Sequence, residues 1–277
     1  MNGECIMKLG VIVILDSLQI DEKFKQVADY GFHYCQLCGW GKQFFTDEVA
    51  ELVLAACKKY DVEISTFWCG WTEPAVWDFY EGPFTLGLVP AEYRAIRIED
   101  LKQGSDFAKK LGVSKLATHV GFLPEVPDTE QYKSVICAIR VVAEYCKKNG
   151  QEFLFETGQE TPVTLRRTIE DVGTGNLGIN LDPANLILYG KANPIDALSV
   201  FGEYVRDIHA KDGCYPTDGK HLGAETPIGQ GMVNFPAFIN KLKEVGYNGT
   251  LIIEREITGE QQVKDIIESK KLLEKLI

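Results

Sequence analysis

The 277-residue sequence has no apolar run of the roughly 18 residues that a membrane-spanning helix needs, so no membrane association is expected. It also lacks a dense Lys/Arg cluster. Its formal charge is 29 − 40 = −11, which repels phosphate backbones and argues against nucleic-acid binding. The Lys-rich C-terminal stretch (Lys264, Lys270, Lys271, Lys275) is interleaved with acids and apolar residues, as on the wet face of a helix. No Gly-x-Gly-x-x-Gly follows the first strand-like segment, which weakens a nucleotide-binding reading. The eight cysteines are irregularly spaced in a large chain with no signal peptide read, so free thiols in a reducing cytoplasm are expected rather than a disulfide framework. Cys35 and Cys38 form a Cys-x-x-Cys inside the strand-like FHYCQLC, without the second pair or the helix start that a zinc or redox site needs.

Hydrophobic residues make up 45% of the chain, enough for a large core. Strand-like runs are expected at 9–15, 33–37, 62–68, 115–119, 152–156, 177–182, 204–209 and 250–254. Helical patterns follow at about 21–30, 46–60, 91–111, 129–148, 162–172, 194–201, 235–245 and 259–276. Thr46-Asp47-Glu48 reads as a cap and acidic first turn, and Gly31 as a helix stop. Strict alternation implies a parallel sheet, because parallel strands need crossovers. Eight such units fit a closed (β/α)8 TIM barrel, and with no linker in sight the chain is expected to form a single domain over 1–277. Residues 70–90 stand apart as a long irregular stretch carrying Trp71, Trp77, Phe79 and Tyr80.

The last four strand-like runs, EFLFE, LGINLD, VRDIH and TLIIE, end on Glu156, Asp182, His209 and Glu254, at spacings of 26, 27 and 45 residues. Any one of these has an ordinary reading: a solvated strand-end acid, an Asp-Pro loop opening, a packed histidine. Together they point to one metal site, because parallel neighbours bring their ends to a common face and barrel chemistry sits at the C-terminal ends of strands. Three carboxylates and an imidazole form a hard, oxygen-rich set, suited to Mn2+, Mg2+ or Co2+ rather than structural zinc. His119 in ATHVGF and Trp68 stand at strand ends as candidate substrate contacts. The aromatic loop could form a substrate wall, a small core of its own or an oligomer contact, so a homo-oligomer stays open. Lys211 could orient a polar substrate, whereas Asp212 is expected in an ion pair.

Glu in FETG, Asp in DPAN, His in HAKDG and Glu in IIERE resemble the metal-ligand set of xylose-isomerase-like TIM barrels, the sugar phosphate isomerase/epimerase superfamily that includes the D-tagatose and D-psicose 3-epimerases. The resemblance implies one divalent ion, Mn2+ first, held by Glu156, Asp182, His209 and Glu254. It also implies Glu156 and Glu254 as acid and base on opposite faces of a carbohydrate carbon. The sequence departs from the epimerases at Asn185, where they often carry His, and at Lys211, near which they place an Arg; Glu160 could stand for their second acid at a different spacing. Asn185 remains a candidate partner for a sugar hydroxyl. These departures keep a lyase or dehydratase on a keto-sugar, keto-glycoside or inosose as an alternative, and a non-catalytic sugar-binding barrel as another. Endonuclease IV shares the barrel, but its three-zinc cluster needs more histidines than the four present, at 33, 119, 209 and 221.

Overall fold

The structure, a computed structural model, describes residues 7–277. Eight parallel strands close on themselves: β1 (Lys8–Leu15), β2 (Tyr34–Gly39), β3 (Glu63–Cys69), β4 (Lys115–Thr118), β5 (Glu152–Glu156), β6 (Leu177–Leu181), β7 (Val205–Ala210) and β10 (Thr250–Ile253). They neighbour one another in chain order, and β10 closes the ring by pairing with β1 in the register Lys8↔Thr250. Between them run α1 (Ile20–Asp29), α2 (Asp47–Tyr60), α4 (Ala91–Lys110), α5 (Glu130–Lys148), α6 (Pro162–Val172), α8 (Pro194–Phe201), α9 (Phe235–Glu244) and α10 (Glu260–Leu273). The expected TIM barrel and its strand–helix order are therefore present. Thr46 caps α2 by accepting the Val49 N–H, and Gly31 follows α1 at φ 75°, where a side chain would be strained.

Two short helices were not foreseen: α3 (Gly82–Thr85) within the aromatic stretch, and α7 (Pro183–Leu188) directly after β6. The loop after β7 carries a two-stranded ribbon of β8 (Asp212–Gly213) and β9 (Glu225–Thr226).

Strand alternation divides the side chains into two sets. Val11, Val13, Leu37, Phe67, Phe153, Phe155, Ile179 and Ile208 belong to the large core between barrel and helices. The other parity faces the lumen. There Cys38, Trp68, Ala117 and Leu154 form a separate small cluster against Ile12. Below them Asp207 accepts hydrogen bonds from Ser65, Thr66 and Thr250, tying β3, β7 and β10 across the barrel floor. Gly10 is needed beside this floor, since a Cβ there would meet Tyr34 O at 2.6 Å and Ile252 Cδ1 at 2.7 Å. Above them the lumen positions turn polar, and the site begins.

Candidate metal centre

Glu156 ends β5 on the lumen parity, two residues after Leu154. Asp182 follows β6 and caps α7: its Oδ1 accepts the Asn185 N–H at 2.9 Å, leaving Oδ2 without a hydrogen-bond partner. His209 lies on β7 two residues after Asp207, and Glu254 follows β10, where its N–H donates to Ala210 O at 3.1 Å. One ligand atom from each of Glu156, Asp182, His209 and Glu254 lies within 4.8 Å of all the others. His209 Nδ1 is central, 3.1 Å from Glu156 Oε1, 3.1 Å from Glu254 Oε2 and 3.9 Å from Asp182 Oδ2.

Other residues hold these four in place. Gln36, on β2, accepts from His209 Nε2 at 2.7 Å, which turns Nδ1 towards the carboxylates, and donates to Asn180 Oδ1 at 3.0 Å. Thr157 both donates to Asp182 O at 2.8 Å and accepts from its N–H at 2.9 Å, pinning the ends of β5 and β6 together. Trp68 donates its indole N–H to Glu156 Oε2, and His119 Nε2 lies 3.4 Å from the same oxygen. Asn185 Nδ2 donates to Glu156 Oε1 at 3.4 Å.

Charge is unevenly balanced here. Burial works against ionisation of Glu156, but His119 and His209 outweigh it and hold the carboxyl well below its usual range. Burial likewise opposes ionisation of Glu254, yet Lys211 and His209 bring it down to about 2. Asp182 goes the other way, raised by burial and by Glu254 against the pull of Lys211. Lys211 is itself buried, with Nζ 3.3 Å from Glu254 Oε2, 3.7 Å from Asp182 Oδ2 and 2.7 Å from Glu256 Oε2. It is on the same strand parity as Asp207 and His209, and that alternation carries it into the cluster.

The cavity above the cluster measures about 700 Å3 and is lined by Trp68, His119, Glu156, Asn185, His209, Lys211 and Glu254 among others. Glu160 does not line it. It is buried beside the site with neither carboxylate oxygen partnered, and burial raises it to about 7. Asp212 also lies apart. Instead of the expected ion pair it accepts backbone N–H groups from Gly213, Gly229, Gly231 and Val233, fastening the loop after β7. Cys35 and Cys38 are buried free thiols, both pushed well up by burial.

The aromatic stretch is anchored from below. Arg97 on α4 is fully buried and donates to the carbonyls of Thr72, Pro74 and Gly87, with its guanidinium 4.1 Å from the Trp71 ring centroid. Asp100 takes the Thr72 N–H at 2.6 Å and pairs with Lys42. Gln36, Thr157 and Arg97 escaped the sequence reading. The only signal for Gln36 is an amide on the lumen parity of a strand.

Fold and site together define an eight-stranded α/β barrel with a carboxylate–imidazole cluster at the C-terminal mouth of its strands. A family model described as the xylose isomerase-like TIM barrel matches residues 24–276, and the chain belongs to that family. The crystal structure of a xylose isomerase domain protein from Planctomyces limnophilus is similar at 34% identity and a TM-score of 0.92, covering 98% of this chain and 97% of that one. A D-tagatose 3-epimerase-like protein is similar in fold at 22% identity and a TM-score of 0.75, over 98% and 97% of the two chains. So is the probable 3-DHS dehydratase of Bacillus anthracis, at 19% identity and a TM-score of 0.70, over 96% and 98%.

Proposed function

We propose that this protein is a divalent-metal-dependent enzyme that enolises a keto-sugar, working as an isomerase or epimerase with Glu156 and Glu254 as the acid and base. The convergence of Glu156, Asp182, His209 and Glu254 beneath an open cavity carries the reading. The donor set fits a hard cation, Mn2+ first and Mg2+ or Co2+ as alternatives. Asp182 Oδ2 is buried without a hydrogen-bond partner, and the Gln36 contact turns His209 Nδ1 inwards. When bound, such a cation supplies Lewis-acid stabilisation of negative charge on the substrate's oxygens.

The chain's own residues move the protons. Glu156 ends β5 and Glu254 follows β10, with β6 and β7 between these strands, so they flank the cluster from opposite sides. A substrate carbon between them loses its proton to one carboxylate and regains one from the other, which inverts the centre. Both are held ionised before a substrate arrives, so one takes up a proton from solvent to serve as the acid while the other, still ionised, serves as the base. Inversion exchanges their states and solvent resets them. Trp68 and His119 fix one oxygen of Glu156 and thereby aim the carboxylate. Asn185 and Lys211 offer donors to sugar hydroxyls.

One observation favours a second reading on the same site. The buried Lys211 ammonium adjoins Glu254 and lines the cavity, where it can protonate a departing hydroxyl or alkoxide. Enolisation would then end in β-elimination, as in a lyase or dehydratase. Solvent-deuterium incorporation over a panel of ketoses, keto-glycosides and inososes, with product analysis, separates the two. Exchange without elimination is the expected result. Loss of water or of an aglycone selects the lyase, and absence of exchange on every ketone removes both.

A further inference from the structure

All four tryptophans of the chain gather at this cavity: Trp40, Trp68 and Trp77 line it, and Trp71 is buried behind Trp40 with ring centroids 5.4 Å apart. Two of them step away from the ligand set, while Trp77 packs on His119 with ring centroids 5.0 Å apart. Trp68 donates to Glu156 itself. Trp40 comes next, its ring centroid 5.2 Å from that of Trp68, and it is 37% exposed. Its seat is specific. A Cβ on Gly70 would come within 2.4 Å of the Trp40 ring, so the chain touches the indole as only glycine permits. Gly70 is fixed there by its N–H bond to Gly39 O at 2.8 Å. Ile14, 44% exposed, lies beside this platform, since it pairs in register with Cys38, two residues before Trp40.

The cavity is larger than one sugar. A hexulose has twelve non-hydrogen atoms. Even at about 30 Å3 each, the share of one water in the liquid, they take up roughly half of the volume, against the 700 Å3 of the cavity. Trp40 lines the cavity next to Trp68 with a partly exposed ring, and so offers an apolar face to the remaining volume.

We infer that the substrate is a keto-sugar carrying a second ring, with the reacting ring over the ligand set against Trp68 and the second ring stacked on Trp40 beside Ile14. The inference rests on the enolising reading above and narrows it. The C–H face of a pyranose and the face of an aryl group both suit an indole, so the second ring is a sugar or an aryl aglycone. If it is joined through the glycosidic oxygen, the anomeric carbon is locked. The carbonyl then sits on a ring carbon, and the reaction that supplies it is oxidation of a ring hydroxyl of a glycoside.

The ring-binding part is testable without turnover. Methyl β-D-glucopyranoside, phenyl β-D-glucopyranoside and methyl β-cellobioside have no free carbonyl to enolise, and the tryptophans give a fluorescence signal at the site. In the Mn2+-loaded protein, phenyl glucoside or methyl β-cellobioside should bind about tenfold tighter than methyl glucoside, and the better of the two identifies the second ring. Trp40→Ala should bring that ratio close to one, and Gly70→Ala, which displaces the indole, should lower it as well, with circular dichroism confirming that both variants fold. Equal binding of all three glycosides, or a ratio that Trp40→Ala leaves unchanged, overturns the inference. The matching ring-ketone derivatives are then incubated in D2O. Exchange is expected; a ratio that holds while no ketone exchanges overturns the keto-sugar assignment and the enolising reading together.

Discussion

Glu156 and Glu254 are the same side chain in two surroundings. Glu156 is closed in by Trp68, His119, His209 and Asn185, while the Glu254 side chain keeps 15% exposure and a Lys211 partner. Replacing either by Gln keeps the shape and removes the proposed proton carrier, so turnover should fall by at least about 10²-fold in each variant. Near-parental kcat in either, on a substrate that exchanges deuterium, would sink the two-carboxylate mechanism. Glu160 supplies a pH test outside the ligand set. Burial raises it from 4.5 to about 7, so between those values the folded chain keeps a proton that the unfolded chain has released. Its contribution to stability is therefore lost as pH rises through that window. Glu160→Gln removes the titration. The variant should match the parent near pH 4.5 and exceed it by up to about 3 kcal/mol at pH 8. Denaturant unfolding at the two pH values measures this, and the same stability difference at both would refute it.

At the scale of elements, the loop between β3 and α4 depends on one side chain. Arg97 satisfies three loop carbonyls and stacks on Trp71, so Arg97→Met orphans those carbonyls together. The expected cost is about 2–4 kcal/mol, with faster amide exchange over 72–87 than in the barrel strands. Uniform protection with unchanged stability would show that the loop holds itself. What was legible in the sequence follows the same division. Alternating periodicities gave the eight barrel strands, and a strand ending in Leu-Phe-Glu places that Glu on the lumen side with the Leu. The α7 helix was missed because Asp182-Pro183 reads as a turn. Yet Asp as cap followed by Pro in the first turn is also how a helix opens, and this one is only six residues long. Asp212 was misread for a related reason. Its partners are backbone amides up to 21 residues away, and such amides carry no signature in side-chain identity. Gln36 meets His209 across 173 residues, a contact that only closure of the barrel creates.

Closure also makes the site costly for the whole molecule. It brings three carboxylates within 4.8 Å of one another in a net-acidic chain, and like charges at that range repel. Lys211 is the built-in cation that offsets part of this repulsion, since its ammonium adjoins both Glu254 and Asp182. A divalent ion held by the same carboxylates, as proposed, would take over that compensation, so Lys211 and the ion would oppose each other electrostatically. Three consequences should appear together. Chelation should abolish activity, with Mn2+ restoring it. Lys211→Met should destabilise the metal-free protein by about 3–5 kcal/mol, the cost of breaking a buried pair. Mn2+ should stabilise the variant more than the parent, because its affinity rises once the competing cation is gone; at about 100 times Kd the gain is roughly 2.7 kcal/mol, and it grows as Kd falls. Thermal unfolding of both proteins across an Mn2+ titration measures all the stability terms. If Lys211→Met lowers the metal-free and Mn2+-loaded proteins equally, the lysine is not coupled to the cluster. Full activity in verified metal-free protein would remove the metal from the proposal altogether.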